Sequence, residues 1–333
     1  MALFRQLDEH VEHLLELFKK DDNWLIVINA DPDALGSALA LRRIMARRVS
    51  TIAIAQINEI KRPDNLSMIR YCRIPTQKLI PNLAAQFDKF ALVDSQPHHN
   101  PEFKPFNFSV VIDHHPIAQD NLVQADYVDI RPKYGAVCTM MTEYLYNMKI
   151  RPAKLLATAL MYGIRCDTRT FEREFIDADM AAFKYLSKYA DSKLMNRISR
   201  SEFHLDWMRY FSRAFYNLRR IGQGLFAHCG NVENPDILVI VADFFTRVHN
   251  VPWVVVSGTA DEKLVCIFRG DGLRRDMGSL AQKTMSGLEA ASAGGHKQAA
   301  RAEVDLEALN GVDPEIFMLK RLGQGRKKTI RRI

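Results

Sequence analysis

The fold class follows from one segment near the start of the chain, Trp24-Leu25-Ile26-Val27-Ile28-Asn29-Ala30-Asp31-Pro32-Asp33. Its first five residues are a continuous apolar run, which is typical of a strand buried on both faces of a parallel sheet. A helical pattern starts at about Ala34 and continues through Leu39, Leu41 and Ile44. The two acids at the end of the segment are therefore expected in the turn between a strand and a helix.

Three further segments have the same strand-like pattern. They cover 50–57, then 90–93 followed by Asp94, and 108–112 followed by Asp113. Strands separated by helices predict a doubly wound α/β domain with a parallel sheet. Ligands of such domains bind beyond the carboxyl ends of the strands, so we expect the acids at the ligand-binding edge.

The middle of the chain predicts more helices, at 140–147, 153–164 and 178–189. A longer helix is predicted from 202 to 220 and would connect two domains. Its aromatic and apolar stripe consists of Phe203, Trp207, Tyr210, Phe211, Phe215 and Leu218. Such a stripe is more often part of a core than a platform on which bases stack.

Beyond this helix the pattern changes to short apolar runs, which predict a second, smaller α/β domain. The predicted strands cover 225–228, 237–241, 253–257 and 264–269, and a helix is predicted at 277–285. The predicted organisation is a first domain at 1–200, a connecting helix at 201–222, a second domain at 223–312 and a basic tail at 313–333.

The chain of 333 residues is long enough for two hydrophobic cores, and its composition is that of an ordered globular protein. The start of the chain predicts an amphipathic helix instead of a signal peptide, and no apolar run reaches the roughly 18 residues that a membrane span needs. Five scattered cysteines fit reduced thiols. We therefore expect a cytoplasmic protein that does not enter a membrane.

The net charge of +7 equals the number of basic residues after Glu315, and no acid follows Glu315. These residues are Lys320, Arg321, Arg326, Lys327, Lys328, Arg331 and Arg332. The two domains together are thus close to neutral. Two interpretations remain open for the tail: electrostatic binding of phosphate backbones, or a solvated and frayed terminus.

The acids in the turns predict a metal site. Any one of them alone is usually a helix cap. At one edge of a sheet, however, remote acids and an imidazole converge and repel one another unless a cation offsets their charge. Mixed oxygen and imidazole ligands suit Mn²⁺ or another first-row metal better than calcium. The residues expected to converge are Asp31, Asp33, Asp94, His114 and Asp167.

Five segments between residues 25 and 303 resemble, in order, the motifs of DHH/DHHA1 phosphoesterases. They are Ala30-Asp31-Pro32-Asp33-Ala34-Leu35-Gly36-Ser37, Val93-Asp94-Ser95, Ile112-Asp113-His114-His115-Pro116, Gly163-Ile164-Arg165-Cys166-Asp167-Thr168 and Gly294-Gly295-His296-Lys297-Gln298-Ala299-Ala300. The size and domain pair are most similar to the nanoRNase and pAp phosphatase branch, which typically uses manganese.

The resemblance implies a role for each residue of the first domain. One metal would be held by Asp33, Asp94, His114 and Asp167, and Asp94 would bridge to a second metal that Asp31 also binds. His115 would face the scissile phosphate, and Asp113 would orient His114. The cofactor would be Mn²⁺, as one or two ions, with Mg²⁺ or another first-row divalent metal as the alternative.

One position departs from the family pattern. The usual motif has a histidine four residues before the first Asp, where this chain has Val27. The second metal site would thus lack a ligand, and Asn29 is a poor replacement. Three alternatives follow: a site filled only when the substrate supplies oxygens, a one-metal enzyme, or a homologue that binds without cleaving.

In the second domain, the resemblance implies that Gly294, Gly295 and His296 form a loop that binds substrate across a cleft. An upstream arginine would assist, most nearly Arg269, with Arg274 and Arg275 as the alternatives. The implied activity is hydrolysis of short single-stranded RNA or DNA, or of nucleotide phosphates.

Three other functions stay open: a catalytically inactive protein that binds nucleotides or RNA, a phosphohydrolase acting on cyclic dinucleotides, polyphosphate or pyrophosphate, and an α/β domain whose turn acids are only caps. A homodimer is one alternative for the oligomeric state.

Overall fold

The computed structural model describes residues 3–117, 122–201, 203–288, 291–323 and 330–332. The chain divides into two compact units, Met1–Phe203 and His204–Ile333. None of the helices in this part of the chain combines the length and the apolar composition needed to cross a membrane. The five cysteines are free thiols, and all of them except Cys166 are buried.

The first unit is built on a six-stranded parallel sheet with the order β3-β2-β1-β4-β5-β6. Its strands are β1 (Asn23–Ile28), β2 (Thr51–Gln56), β3 (Thr76–Lys78), β4 (Lys89–Val93), β5 (Phe108–Asp113) and β6 (Tyr127–Ile130). After β1 the chain adds β2 and β3 on one side of β1. It then returns, and β4 pairs with β1 on the opposite side. The topological switch point, where α/β sheets bind ligands, therefore lies between β1 and β4.

The helices of this unit are α1 (Asp8–Glu16), α2 (Pro32–Met45), α3 (Pro63–Cys72), α4 (Pro81–Ala84), α5 (Val137–Asn147), α6 (Lys154–Asp167), α7 (Asp177–Leu186) and α8 (Ser192–Ser199). Most of them lie on one face of the sheet, whereas the short α4 lies on the other. The larger core lies on the face that carries α2, α5 and α6. The smaller core, on the opposite face, contains Val27, Leu83 of α4 and Phe103 of a short 3₁₀ helix, Pro101–Phe103.

The second unit has a seven-stranded mixed sheet with the order β11-β12-β10-β9-β8-β7-β13. Its strands are β7 (Arg219–Ile221), β8 (Gly224–Asn231), β9 (Trp253–Ala260), β10 (Lys263–Gly270), β11 (Ser292–Gly295), β12 (Ala299–Asp305) and β13 (Ile330–Arg332). Its helices are α9 (Met208–Tyr216), α10 (Asp236–Phe245), α11 (Met277–Met285) and α12 (Pro314–Gly323), with 3₁₀ turns at Leu205–Trp207 and Leu306–Leu309. The α/β fold predicted for both parts is thus confirmed.

Two predicted elements of this unit are wrong. The run 237–241 lies in the first half of helix α10, because the buried side chains of Leu238, Val241, Ala242 and Phe245 recur at helical spacing. The long helix predicted from 202 to 220 is only the short α9, which packs into the core of the second unit. Arg219 already begins strand β7.

The tail is not frayed in its described residues. Phe317, Met318 and Leu322 of α12 are buried in the core of the second unit. Strand β13 then pairs with β7 and extends the sheet. The basic residues Arg326, Lys327 and Lys328 lie outside the described residues.

Candidate metal centre

Neighbouring strands of the first sheet bring the predicted acids to one edge. Asp31 and Asp33 follow β1, Asp94 follows β4, and Asp113 ends β5. Asp167 does not follow a strand but is the last residue of helix α6. Helix α6 packs against α2 on the face of the larger core, and this packing brings Asp167 to the same edge of the sheet.

Asp33 is fixed by the start of another helix. Its side chain is buried and accepts hydrogen bonds from the backbone N–H groups of Val137 (2.6 Å) and Cys138 (2.8 Å), in the first turn of α5. Burial, and then the nearby charge of Asp167, raises the pKa of Asp33 to about 7. The helix N-terminus orients the carboxylate without removing the repulsion between neighbouring acids.

His114 presents one ring nitrogen to the acids. Its Nδ1 donates a hydrogen bond to the carbonyl oxygen of Tyr134 (2.9 Å), which leaves Nε2 as the ligating atom. Nε2 lies 3.0 Å from Asp167 Oδ2 and 3.5 Å from Asp94 Oδ1. Burial alone would lower the pKa of His114, but the adjacent carboxylates of Asp167 and Asp33 raise it to about 9.

Asp94 contributes the observation that points most directly to a cation. Its Oδ1 and the Nε2 of His114 are buried and make no hydrogen bond of good geometry among the described residues, although Nε2 lies 3.0 Å from Asp167 Oδ2. Burial, followed by the charges of Asp31 and Asp33, raises the pKa of Asp94 well above its usual range. Two buried ligating atoms that face each other unsatisfied are what a bound cation would resolve.

The donor set fits a divalent metal ion. Ligating atoms of Asp33, His114 and Asp167 lie within 4.8 Å of one another, and so do those of Asp94, His114 and His115. Carboxylate and imidazole ligands together suit a first-row divalent metal. His114, shared by both groups, is the centre of the site.

Asp113 orients His115 and not His114, which corrects the role implied by the sequence. Its Oδ1 accepts a hydrogen bond from His115 Nδ1 (2.9 Å), and its Oδ2 accepts one from Gln96 Nε2 (2.7 Å). Side chains two residues apart in extended backbone lie on the same side, whereas His114 lies on the other. The hydrogen bond to Asp113 raises the pKa of His115 above its usual range.

Sequence reasoning missed Gln96 and His99, which lie next to Asp113 and His115 and contact them. Gln96 is fully buried, and its backbone N–H donates to His99 Nδ1 (3.1 Å). The rings of His99 and His115 are 5.5 Å apart and perpendicular in arrangement. The adjacent His98 and His99, four and five residues after Asp94, are the sequence feature that indicates a further histidine near the site.

Asp31 acts as a helix cap. Its Oδ1 caps α2 by accepting the backbone N–H of Ala34 (2.9 Å). Burial, and then the charge of Asp167, raises the pKa of Asp31, so it lies near the cluster. No metal-ligating group found in the described residues includes it. Val27, at the position where the resemblance implies a histidine, is buried among apolar side chains of the smaller core.

In the second unit, Arg269 and the Gly294-Gly295-His296 segment are well defined. Arg269 Nε donates to Asp243 Oδ1 (2.7 Å). Gly295 has φ +147°, and a Cβ there would meet the Ala299 carbonyl oxygen at 2.3 Å, so only glycine fits. The carbonyl of His296 accepts the first-turn N–H of Gly278 in α11. The predicted substrate contacts of these residues stay predictions.

The fold and the site define a parallel α/β domain with acids and histidines placed to bind a metal at the carboxyl ends of its strands. Residues 23–164, which lie in the first unit, match the DHH family, N-terminal domain. An uncharacterized protein of Methanocaldococcus jannaschii is 31% identical over 297 residues. That alignment covers 88% of this chain and 60% of the relative, so the chain spans about three fifths of the relative's length.

A solved structure shows a similar fold over almost the whole chain. It is the crystal structure of an exopolyphosphatase-related protein from Bacteroides fragilis. The TM-score is 0.69 at 15% identity, with 95% of this chain and 96% of that chain covered. At this identity the likeness supports the α/β fold and nothing finer.

Metal binding is expected to release protons near pH 6. In the metal-free protein, the raised pKa values of Asp33 and His114 keep both groups protonated at that pH, whereas ligation needs their unprotonated forms. Affinity for Mn²⁺ should therefore increase as the pH rises from 6 towards 9. Calorimetric titration in buffers of different ionisation enthalpy measures the protons released. Binding that releases none would contradict the assigned ligands.

Proposed function

We propose that the protein is a metal-dependent phosphoesterase. The observation that supports this most strongly is the pair of buried, unpartnered ligating atoms, Asp94 Oδ1 and His114 Nε2, at the switch point of the sheet. Asp33, Asp94, His114 and Asp167 would hold the ion. A divalent ion held by these residues would supply a positive charge that polarises a phosphoryl oxygen and activates a water molecule.

His115 is the side chain best placed to bind the substrate phosphate. Asp113 and Gln96 fix its ring, its pKa is raised, and its side chain is 46% exposed. With Nδ1 donating to Asp113, a protonated His115 has Nε2–H free for a non-bridging oxygen. This donor would stabilise the charge that develops on the phosphoryl group.

The proposed substrates are short single-stranded oligonucleotides or nucleotide phosphates such as pAp, with Mn²⁺ as the metal. Support comes from the order of the five sequence segments and from the geometry of their acids and histidines in the first unit. Arg269, Gly294, Gly295 and His296 are proposed to bind the substrate from the second unit. Arg269 is held by Asp243, so its guanidinium is already oriented.

A hydrolysis screen tests the proposal. Purified protein is incubated with a dinucleotide, pAp, a cyclic dinucleotide, pyrophosphate and polyphosphate, each with Mn²⁺, Mg²⁺ or EDTA. We expect product from the dinucleotide or pAp with Mn²⁺ and none with EDTA. Binding of these compounds without product at any metal concentration would show an inactive binding protein instead. Hydrolysis of polyphosphate alone would overturn the proposed substrate class.

The two metal sites of the family are expected to be unequal here. Asp31 Oδ1 is engaged in capping α2, and Val27 offers no ligand, so a second ion would have few protein ligands. Titration of the metal-free protein with Mn²⁺ should show one tight and one weak site. Two equally tight sites would refute the asymmetry.

A further inference from the structure

One peptide group lies directly behind the proposed metal ligand His114. Its carbonyl oxygen, from Tyr134, accepts the hydrogen bond of His114 Nδ1 (2.9 Å), and its N–H, from Gly135, donates to Asp179 Oδ2 (2.9 Å). Because a peptide group is planar, the direction of its N–H fixes the direction of its carbonyl oxygen. Asp179 is therefore linked to the ring orientation of His114 through one rigid group.

The carboxylate of Asp179 does more than cap a helix. Its side chain is fully buried, its Oδ2 also accepts the backbone N–H of Ile176 (2.9 Å), and its Oδ1 accepts the hydroxyl of Thr139 (2.5 Å). The bond to Ile176 alone would serve the start of α7. The bonds from Gly135 and Thr139 come from residues 44 and 40 positions earlier in the chain. They connect α7 to the segment that holds His114.

The packing around this peptide group is tight, and it also involves Asp33. A Cβ at Gly135 would lie 2.8 Å from Thr168 Cγ2 and 3.0 Å from Asp179 Oδ2, so a larger residue would push the peptide away from Asp179. Thr139 lies in the first turn of α5, the turn whose backbone N–H groups hold Asp33. One buried carboxylate thus lies behind two of the four proposed ligands.

We propose that Asp179 is a positioning residue of the metal centre and acts on His114 through the Tyr134–Gly135 peptide. While Asp179 holds the N–H, the carbonyl oxygen stays directed at Nδ1, and His114 presents Nε2 to the acids. Asp179 belongs to none of the groups of ligating atoms found in the described residues, so it acts without touching the ion. This role rests on the metal binding proposed above.

Calorimetric titration of the full chain with Mn²⁺ tests this role. In Asp179→Ala the N–H of Gly135 loses its acceptor, so the affinity of the tight site should fall at least about tenfold. Asp179→Asn keeps an acceptor oxygen for Gly135 and Ile176 and can donate its amide to Thr139 Oγ1, so its affinity should stay within about threefold of the wild type. Wild-type affinity in Asp179→Ala would overturn the role. An equal loss in both variants would also overturn it, because the effect would then come from the charge and not from the hydrogen bond.

The matched control is Asp191→Ala, which removes a carboxylate that caps another helix of the same unit. Asp191 Oδ1 accepts the backbone N–H of Leu194 (3.0 Å) at the start of α8. This variant should lower the unfolding temperature of the metal-free protein, as Asp179→Ala does, and leave the Mn²⁺ affinity unchanged. An equal fall in affinity in the control would show a general loss of stability and would overturn the role of Asp179.

A spectroscopic measurement gives a readout that does not depend on stability. Nuclear magnetic resonance of ¹⁵N-histidine-labelled protein loaded with Zn²⁺, a diamagnetic probe, shows which ring nitrogen of His114 binds the ion. We expect Nε2 to be ligated and Nδ1 to be protonated in the wild type and in Asp179→Asn. Ligation through Nδ1 in either protein would overturn the role of the peptide, even if Asp179→Ala does not fold. A wild type that binds neither Mn²⁺ nor Zn²⁺ would instead contradict the metal centre itself, so the two failures are distinguishable.

Discussion

Asparagine at position 94 is expected to abolish metal-dependent hydrolysis. Asp94→Asn keeps the size of the side chain, and asparagine tolerates the left-handed backbone found there (φ 59°). It removes the charge that would hold the ion next to His114. Because polarisation by a metal contributes several kcal/mol, turnover with Mn²⁺ should fall on the order of 1,000-fold or more. Initial rates on a dinucleotide and on pAp measure the change.

Thermal unfolding separates this effect from a loss of structure. Burial and neighbouring acids raise the pKa of Asp94, so its ionised form destabilises the metal-free fold at neutral pH. Metal-free Asp94→Asn should therefore unfold at the same or a higher temperature than the wild type, and Mn²⁺ should no longer stabilise it. Asp126→Asn, at an exposed acid, is the control. Unchanged turnover in Asp94→Asn would end the assignment.

A valine at position 163 is expected to separate the two halves of the metal centre. A Cβ at Gly163 would lie 2.5 Å from Cys138 Sγ, 3.0 Å from the Pro32 carbonyl oxygen and 3.2 Å from Asp33 Cα. Helix α6 must then move away from α2, which carries Asp167 away from Asp33. Overpacking of this kind typically costs about 1–3 kcal/mol. We expect a lower free energy of unfolding in urea and a loss of tight Mn²⁺ binding.

Removing the closest obstacle provides the control for this variant. Cys138→Ala deletes the Sγ atom, so the double variant Gly163→Val/Cys138→Ala should recover part of the stability and of the Mn²⁺ affinity. Recovery stays incomplete because the Pro32 carbonyl, a backbone atom, remains in place. Native stability and affinity in the single Gly163→Val variant would show that this close approach does not position the site.

The strands of the first unit could be predicted from the sequence where a continuous apolar run precedes an acid. The apolar runs before Asp31, Asp94 and Asp113 are buried strands, and parallel strands place their carboxyl ends at one edge. Strands β3 and β6 were not predicted, because they have three and four residues and lie at the edges of the sheet. Such short runs have no clear period.

Other features depend on packing that no local pattern records. Asp167 reaches the site at the end of a helix, and the close approach of α6 to α2 at Gly163 brings it there. The partner of Asp113 is decided by which side of the backbone His115 faces. Helix α10 was mistaken for a strand because its β-branched run favours strands locally, whereas its burial has helical spacing.

Anomalous diffraction from a crystal grown with Mn²⁺ locates the ion directly. We expect a peak at the carboxyl edge of the first sheet, within coordination distance of Asp33, Asp94, His114 and Asp167 and close to the two buried atoms that lack partners, Asp94 Oδ1 and His114 Nε2. A fully loaded crystal without a peak among these four side chains would contradict the metal centre and, with it, the proposed hydrolysis.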